Sequence, residues 1–128
     1  MNWIESSAYD GRYAVVLMSD VSVYAKGPAR PAGGAGALAM LLGPDAPLVF
    51  EPALRVTSVR HTYDFYKPDV YSEYPTVNGK ASIKSFLTQL DTCYELFLQK
   101  LKAHGEEWIE KLFDFDYFCF HTPFSKQV

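Results

Sequence analysis

The residues best placed to do chemistry stand near the end of the chain, in Phe118-Cys119-Phe120-His121-Thr122-Pro123-Phe124-Ser125-Lys126. An aromatic residue alternates with a small one up to His121, and a proline follows two residues later. This pattern predicts a strand that carries an imidazole to its own end, stiffened by the proline. A general acid, or a donor to a carbonyl oxygen, needs such a fixed direction. Lys126 lies five residues on, where an ammonium can meet a phosphate or a pantetheine carbonyl; a solvated lysine is the plainer reading. Asp20 is expected at the C-terminal edge of a buried strand, a common functional position in α/β folds; an aspartate capping local backbone amides is the equal alternative. Asp20, Tyr24 and Asp64 together could form a polar shell orienting the site.

Equally informative is what these residues do not include. No G-x-S-x-G elbow occurs. Cys93 is predicted in mid-helix, away from the helix N-terminus that would stabilise a thiolate. Cys93 and Cys119 are far apart, and neither they nor His61 and His104 have the spacing of a metal site. They read as reduced thiols and as structural or solvated histidines. No activated nucleophile is found within the 128 residues.

The elements that must position these groups follow from periodicity. Residues 12–19 (RYAVVLMS) are nearly continuous apolar sequence, predicting a strand buried on both faces. Gly27 to Gly36 (GPARPAGGAG) reads as a loop, being neither a Walker loop nor a GxGxxG fingerprint. Residues 37–42 predict a second buried strand, and 48–50 and 54–59 two more. Residues 61–74 (HTYDFYKPDVYSEY) interleave aromatics with mostly acidic charges and suit a packed segment lining a cleft. Asn78-Gly79 reads as a tight turn. Residues 81–104 are a strong helix, with Ile83, Phe86, Leu87, Leu90, Tyr94, Phe97, Leu98 and Leu101 on one stripe. Ser82 falls in its first turn, to cap it or face a ligand, and Gly105 stops it. Trp108, Ile109, Leu112 and Phe113 predict a short second helical piece before a strand over 117–121. The first residues read as the tail of a helix. The order is α/β.

Composition bounds the rest. With 48% hydrophobic and 21% charged residues the chain is of ordinary globular type, one domain or part of one. A net charge of −3 with scattered Lys and Arg gives no electrostatic basis for nucleic acid or an anionic membrane. No signal peptide opens the chain, and the apolar stretch 36–49 is interrupted by Gly43, Pro44, Asp45 and Pro47, well short of the roughly 20 residues of a span.

The strings Asp10-Gly11-Arg12-Tyr13, Asp20-Val21-Ser22-Val23-Tyr24, Ala29-Arg30-Pro31-Ala32-Gly33-Gly34-Ala35-Gly36-Ala37, residues 61–69, Ser72-Glu73-Tyr74-Pro75 and residues 120–126 are long and unusual. Through them the chain resembles eukaryotic hydroxymethylglutaryl-CoA (HMG-CoA) synthases over essentially its whole length. The resemblance implies a partial thiolase-like fold of layered helices and mixed sheet, with residues 1–128 a single segment incomplete at both ends. It implies condensation of acetyl-CoA with acetoacetyl-CoA to HMG-CoA, for the mevalonate (isoprenoid) or ketone-body pathway. The coenzyme A thioesters are substrates, and no other cofactor is expected. In the family a cysteine is acetylated, a glutamate deprotonates the acetyl methyl, and the carbanion attacks the ketone of acetoacetyl-CoA. His121 matches the histidine that anchors the acetoacetyl group, Asp20 and Asp64 match active-site aspartates, and Tyr24 matches a nearby tyrosine. Ser82 and Lys126 match contacts to CoA or product.

The nucleophilic cysteine and basic glutamate of the family align upstream of Asn2, so the isolated chain is expected to lack synthase activity. Pro28 stands where the family usually has Asn, Ala32 where it has Thr, Ser58 where it has His, and Ser125 where it has Cys. These departures raise a second expectation: a degenerate, non-enzymatic relative that binds CoA esters or pairs with a full-length subunit. An incomplete gene model is a third. The family is homodimeric and has cytosolic and mitochondrial forms, and the cytoplasm is the first expectation here.

Overall fold

The computed structural model describes residues 1–105 and 114–122. The segment around Trp108 to Phe113 and the end from Pro123, including Ser125 and Lys126, lie outside the described residues.

Residues 1–9 form short hydrogen-bonded turns, with the amide of Glu5 on the carbonyl of Met1 and that of Ser6 on Trp3. This is as much of a helix tail as the chain builds. The apolar run then enters β1 (Ala14–Ser22), which pairs antiparallel with β2 (Gly34–Leu42) from Ala14↔Leu42 through Ser22↔Gly34. The connection between them contains a single turn of 3₁₀ helix, Arg30–Ala32, begun by a Gly27 carbonyl accepting from the Arg30 amide.

The expectation of a strand buried on both faces is corrected here. Val15, Leu17, Val21, Leu38 and Leu41 are all exposed, Leu17 to 76%. An apolar run encodes a capacity for burial, but burial itself is set by what packs across the sheet. Within this chain the hairpin is two strands wide. The accessible surface of the chain is 10734 Å², against about 6,800 Å² for a compact monomer of this size. Exposed apolar side chains occur both in the hairpin and outside it, as at Val59, Val70 and Tyr117.

Residues 48–50 and 54–59, expected as strands, form no ladder; Pro52–Leu54 is a turn of 3₁₀ helix. From Glu51 to Val59 exposure nonetheless alternates residue by residue, with Pro52, Leu54, Val56 and Ser58 half-buried. The segment has the period of a strand and no strand beside it, so its backbone groups remain outside any ladder. A second small hairpin pairs β3 (Phe65–Tyr66) with β4 (Thr76–Val77).

The long helix α1 runs Gly79–Ala103. Asn78-Gly79, expected as a tight turn, is instead its start: the Asn78 side chain accepts from the Ala81 amide at 3.1 Å. A side-chain oxygen satisfying an orphan amide is the usual N-cap device, and it displaces Ser82 from the capping role. The helix ends at His104, followed by Gly105 at φ 82°, a left-handed conformation in which glycine carries no Cβ penalty. Its apolar stripe supplies Leu101, the one fully buried hydrophobic residue among those described. The Lys100 ammonium donates to the Arg55 carbonyl at 2.7 Å, tying α1 to the segment after Pro52–Leu54.

Candidate functional site

Three of the expected site residues, Tyr24, Asp64 and Ser82, are linked by a chain of contacts. Tyr24 leaves β1 just after Ser22 and is half-buried. Its ring lies against Gly33: a Cβ built there would sit 3.4 Å from Tyr24 Cδ2, 3.0 Å from the Ser22 carbonyl oxygen and 3.2 Å from that of Arg30. Glycine is favoured at this position by close approach, not by backbone angle, since its φ is −71°. Tyr24 also meets Phe65 edge to face, with centroids 5.9 Å apart.

Phe65 follows Asp64 directly, and Asp64 is half-buried. The Asp64 carbonyl accepts from the Asn78 amide at 2.7 Å, extending the β3–β4 ladder by one bond. The Asn78 carbonyl in turn accepts from the Ser82 amide at 2.9 Å. A continuous path of packed rings and hydrogen bonds therefore runs from Tyr24 through Phe65, Asp64 and Asn78 to Ser82. Alongside it the hydroxyls of Thr62 and Ser85 approach to 3.5 Å.

Asp20 belongs to the same strand but is placed differently from expectation. It lies inside β1 opposite Gly36, two residues before the strand's end, and is exposed. The strand continues past it because Val21 and Ser22 find partners in Ala35 and Gly34.

His121 is the larger correction. Residues 117–122 form no strand, and His121 is exposed. The alternation of the sequence is real, since the rings of Phe118 and Phe120 stack nearly parallel at 5.9 Å, as side chains on one side of an extended segment do. Phe118 continues to Phe115, and Phe115 packs on Phe97 of α1 at 5.8 Å. Extended geometry without a neighbouring strand is not a ladder. His121 is thus reached along a Phe97–Phe115–Phe118–Phe120 stack, separate from the path that joins Tyr24, Asp64 and Ser82. Lys126 lies outside the described residues.

Of the altered positions, Pro28 is exposed in the β1–β2 connection, and Ala32 sits in the 3₁₀ turn immediately before Gly33. Ser58 is half-buried in the alternating segment. Cys93 is half-buried in mid-helix and Cys119 is exposed, both as free thiols. Among the described residues no three His, Cys, Asp or Glu side chains converge as a metal site, and no helix is long and apolar enough to cross a membrane.

The electrostatic perturbation that stands out lies away from these residues. The Arg12 guanidinium donates to Asp10 at 2.8 Å through Nε, and this pairing, with the Arg12 amide, holds the Asp10 carboxyl below its ordinary range.

Sequence reasoning missed Gly33, Phe65 and Asn78. For Asn78 a signal existed: an Asn directly before an amphipathic stripe is an N-cap signature as well as half of an Asn-Gly turn. For Phe65 and Gly33 the information is tertiary.

Comparison with known proteins agrees with this architecture. Residues 1–47 match the family model for the hydroxymethylglutaryl-coenzyme A synthase N-terminal region, and residues 48–128 that for the C-terminal region. The cytoplasmic hydroxymethylglutaryl-CoA synthase of Homo sapiens is 52% identical over 100% of this chain, and the mitochondrial enzyme of Bos taurus 54% over 99%. Both compartments expected of the family are thus represented among these relatives. The chain spans about a quarter of their length (25% and 26%). A solved structure of MvaS in complex with 3-hydroxy-3-methylglutaryl coenzyme A superposes with a TM-score of 0.84 at 32% identity, covering 98% of this chain and 31% of that one. A structure of HMG-CoA synthase complexed with CoA gives 0.72 at 33% identity, over 90% of this chain and 28% of that one. The partial thiolase-like α/β fold and the resemblance read from the sequence are both met, and the chain belongs to the hydroxymethylglutaryl-CoA synthase family.

Proposed function

We propose that this chain carries the acetoacetyl-binding part of an HMG-CoA synthase active site and has no condensing activity by itself. The observation that carries the reading is the superposition of nearly the whole chain on a relative that holds HMG-CoA. In the full reaction, acetyl transfers from CoA to a cysteine, a base removes a methyl proton, and the carbanion adds to the acetoacetyl ketone. Hydrolysis of the thioester to the enzyme then releases HMG-CoA. Covalent attachment divides one difficult step into easier ones.

Within that scheme His121 donates a hydrogen bond to the acetoacetyl carbonyl oxygen, where negative charge develops as the new carbon–carbon bond forms. A donor aimed at that oxygen stabilises the transition state more than the ground state. Asp20, Asp64 and Tyr24 orient the site, while Ser82 and Lys126 contact the CoA portion. Acetyl-CoA and acetoacetyl-CoA are the substrates of the assembled enzyme, no further cofactor takes part, and assembly is as a homodimer. Nothing in the charge or composition favours nucleic acid or a membrane as a partner.

The chain's cysteines do not supply the nucleophile: Cys93 is half-buried in mid-helix, away from the helix N-terminus, and Cys119 lies in the extended phenylalanine segment. Incubating the purified chain with acetyl-CoA and acetoacetyl-CoA tests this directly. We expect HMG-CoA at the uncatalysed rate, and formation above that rate refutes the assignment.

A second reading is a non-enzymatic relative that binds CoA esters or pairs with a full-length subunit. It is favoured by Pro28, Ala32 and Ser58, the first two of which lie in the β1–β2 connection between Tyr24 and Gly33. Co-purification with a full-length synthase subunit, with no binding of CoA esters by the chain alone, would select it.

A further inference from the structure

Asn78 makes three connections at once. Its amide donates to the Asp64 carbonyl at 2.7 Å, its side-chain oxygen accepts from the Ala81 amide at 3.1 Å, and its carbonyl accepts from the Ser82 amide at 2.9 Å. The first bond fixes it to the residue just before β3, and the other two fix it to the first turn of α1. Asn78 is itself exposed, so burial does not hold it in place. Its backbone is extended, at φ −98° and ψ 93°, as the residue between a strand and a helix must be. The neighbouring Gly79 offers no side chain to brace the junction. The chain therefore turns from sheet to helix on one residue, with Asp64 on one side and Ser82 on the other.

We infer that Asn78 is a positioning residue, which sets the separation between Asp64 and the Ser82 turn and thereby the affinity of the acyl-CoA site. This inference rests on the functional reading above for the roles of Asp64 and Ser82, but the junction itself rests on its hydrogen bonds alone. Without the side-chain oxygen, the Ala81 amide loses its partner and the first turn of α1 frays. Ser82 then moves relative to Asp64, although neither has been altered. A carboxylate at the same position accepts the same amide and suits the positive end of the helix dipole, so aspartate should substitute for asparagine.

The test compares Asn78→Ala, Asn78→Asp and Gln99→Gly in the whole chain. Gln99 is exposed in the last turns of α1, and glycine there weakens the helix without touching the junction. In ligand-free amide spectra, Asn78→Ala is expected to shift the resonances of Asp64, Phe65 and Ser82 together and to speed exchange of the residue 78 amide. Asn78→Asp should restore them, and Gln99→Gly should leave them in place. By calorimetry with acetoacetyl-CoA, Asn78→Ala should weaken binding about fivefold, the equivalent of one lost cap, while Gln99→Gly at a matched loss of melting temperature changes it little. Fraying of the first helical turn with Asp64 and Phe65 unmoved would overturn the proposal, as would equal loss of affinity in both helix variants. Absence of acetoacetyl-CoA binding by the unaltered chain would instead overturn the functional reading, and the spectra would still decide the role of Asn78.

Discussion

Phe65 stands edge-on to Tyr24, their ring centroids 5.9 Å apart and their planes at 79°. This contact joins the β1–β2 hairpin to the segment that leads into α1. It is the link by which Tyr24 and Asp64, forty residues apart in sequence, come to occupy one region. Edge-to-face pairs contribute about 0.5–1.5 kcal/mol beyond the area they bury. Phe65→Leu should therefore lower stability by about 1 kcal/mol and abolish cross-relaxation between Tyr24 and the residue 65 side chain, as read by urea unfolding and NMR. Unchanged stability with an undisturbed Tyr24 would contradict the link.

Gly33 lies against the same ring. Alanine there gains some stability by restricting the unfolded chain, but its Cβ meets two carbonyl oxygens at 3.0 and 3.2 Å, and backbone oxygens do not swing aside as flexible side chains do. Overpacking costs about 1–3 kcal/mol and outweighs the gain. Gly33→Ala is expected to destabilise the chain by about 1 kcal/mol and to be non-additive with Phe65→Leu, because both act on Tyr24. Additivity in a double-mutant cycle would show that the two contacts are independent.

How much of this was legible beforehand differs between elements, and the difference has a physical cause. The helix could be read nearly to its ends because its signals are local: a stripe at spacings of three and four, and Gly105 at its close. The β1 and β2 runs could be read as strands for the same reason. Their exposure could not be, since an apolar run does not say what covers it. Residues 54–59 and 117–121 have strand periodicity and no ladder, because pairing depends on a neighbour and alternation does not. Tyr24, Asp64 and Ser82 were each expected from the sequence as site residues, but the contacts of Phe65 and Gly33 with Tyr24 arise only across the fold. Asn78 was misread because Asn-Gly serves two motifs, and the stripe that follows should have favoured the cap.

The open faces of the hairpin have a measurable consequence. Leu17, Val15 and Leu41 are exposed, and contiguous apolar patches of this kind drive association. The chain is expected to bind a hydrophobic reporter dye and to self-associate with rising concentration in sedimentation velocity. Leu17→Lys should reduce both with a stability change within about 0.5 kcal/mol, since it alters an exposed side chain. A monomer at all concentrations, with no dye binding, would contradict the description of these faces.

Leu101 offers the opposite case. It is 0% exposed, and truncating such a leucine costs about 2–5 kcal/mol. With no other hydrophobic residue fully enclosed among those described, Leu101→Ala should abolish cooperative unfolding of α1 by circular dichroism, whereas Leu96→Ala, at an exposed helix position, should retain it.

Asp10 provides a pH-dependent check. Its carboxyl is held below the ordinary aspartate range by Arg12. A group whose folded pKa is depressed stabilises the fold above its unfolded pKa and loses that contribution as pH falls through the folded value. The pair is exposed, so its effect on stability is small, but the titration is directly visible by NMR. Arg12→Ala should move the Asp10 midpoint upward toward the unfolded value, and an unmoved midpoint would rule out the guanidinium as its cause.

We propose above that the chain holds acetoacetyl-CoA through His121 without carrying out the condensation. Calorimetric titration of acetoacetyl-CoA into the chain and into His121→Ala tests it most directly. Saturable binding by the unaltered chain is expected, with a loss of about five- to thirtyfold in the variant, as for removing a hydrogen bond of about 1–2 kcal/mol. Equal affinity of the two proteins would contradict it.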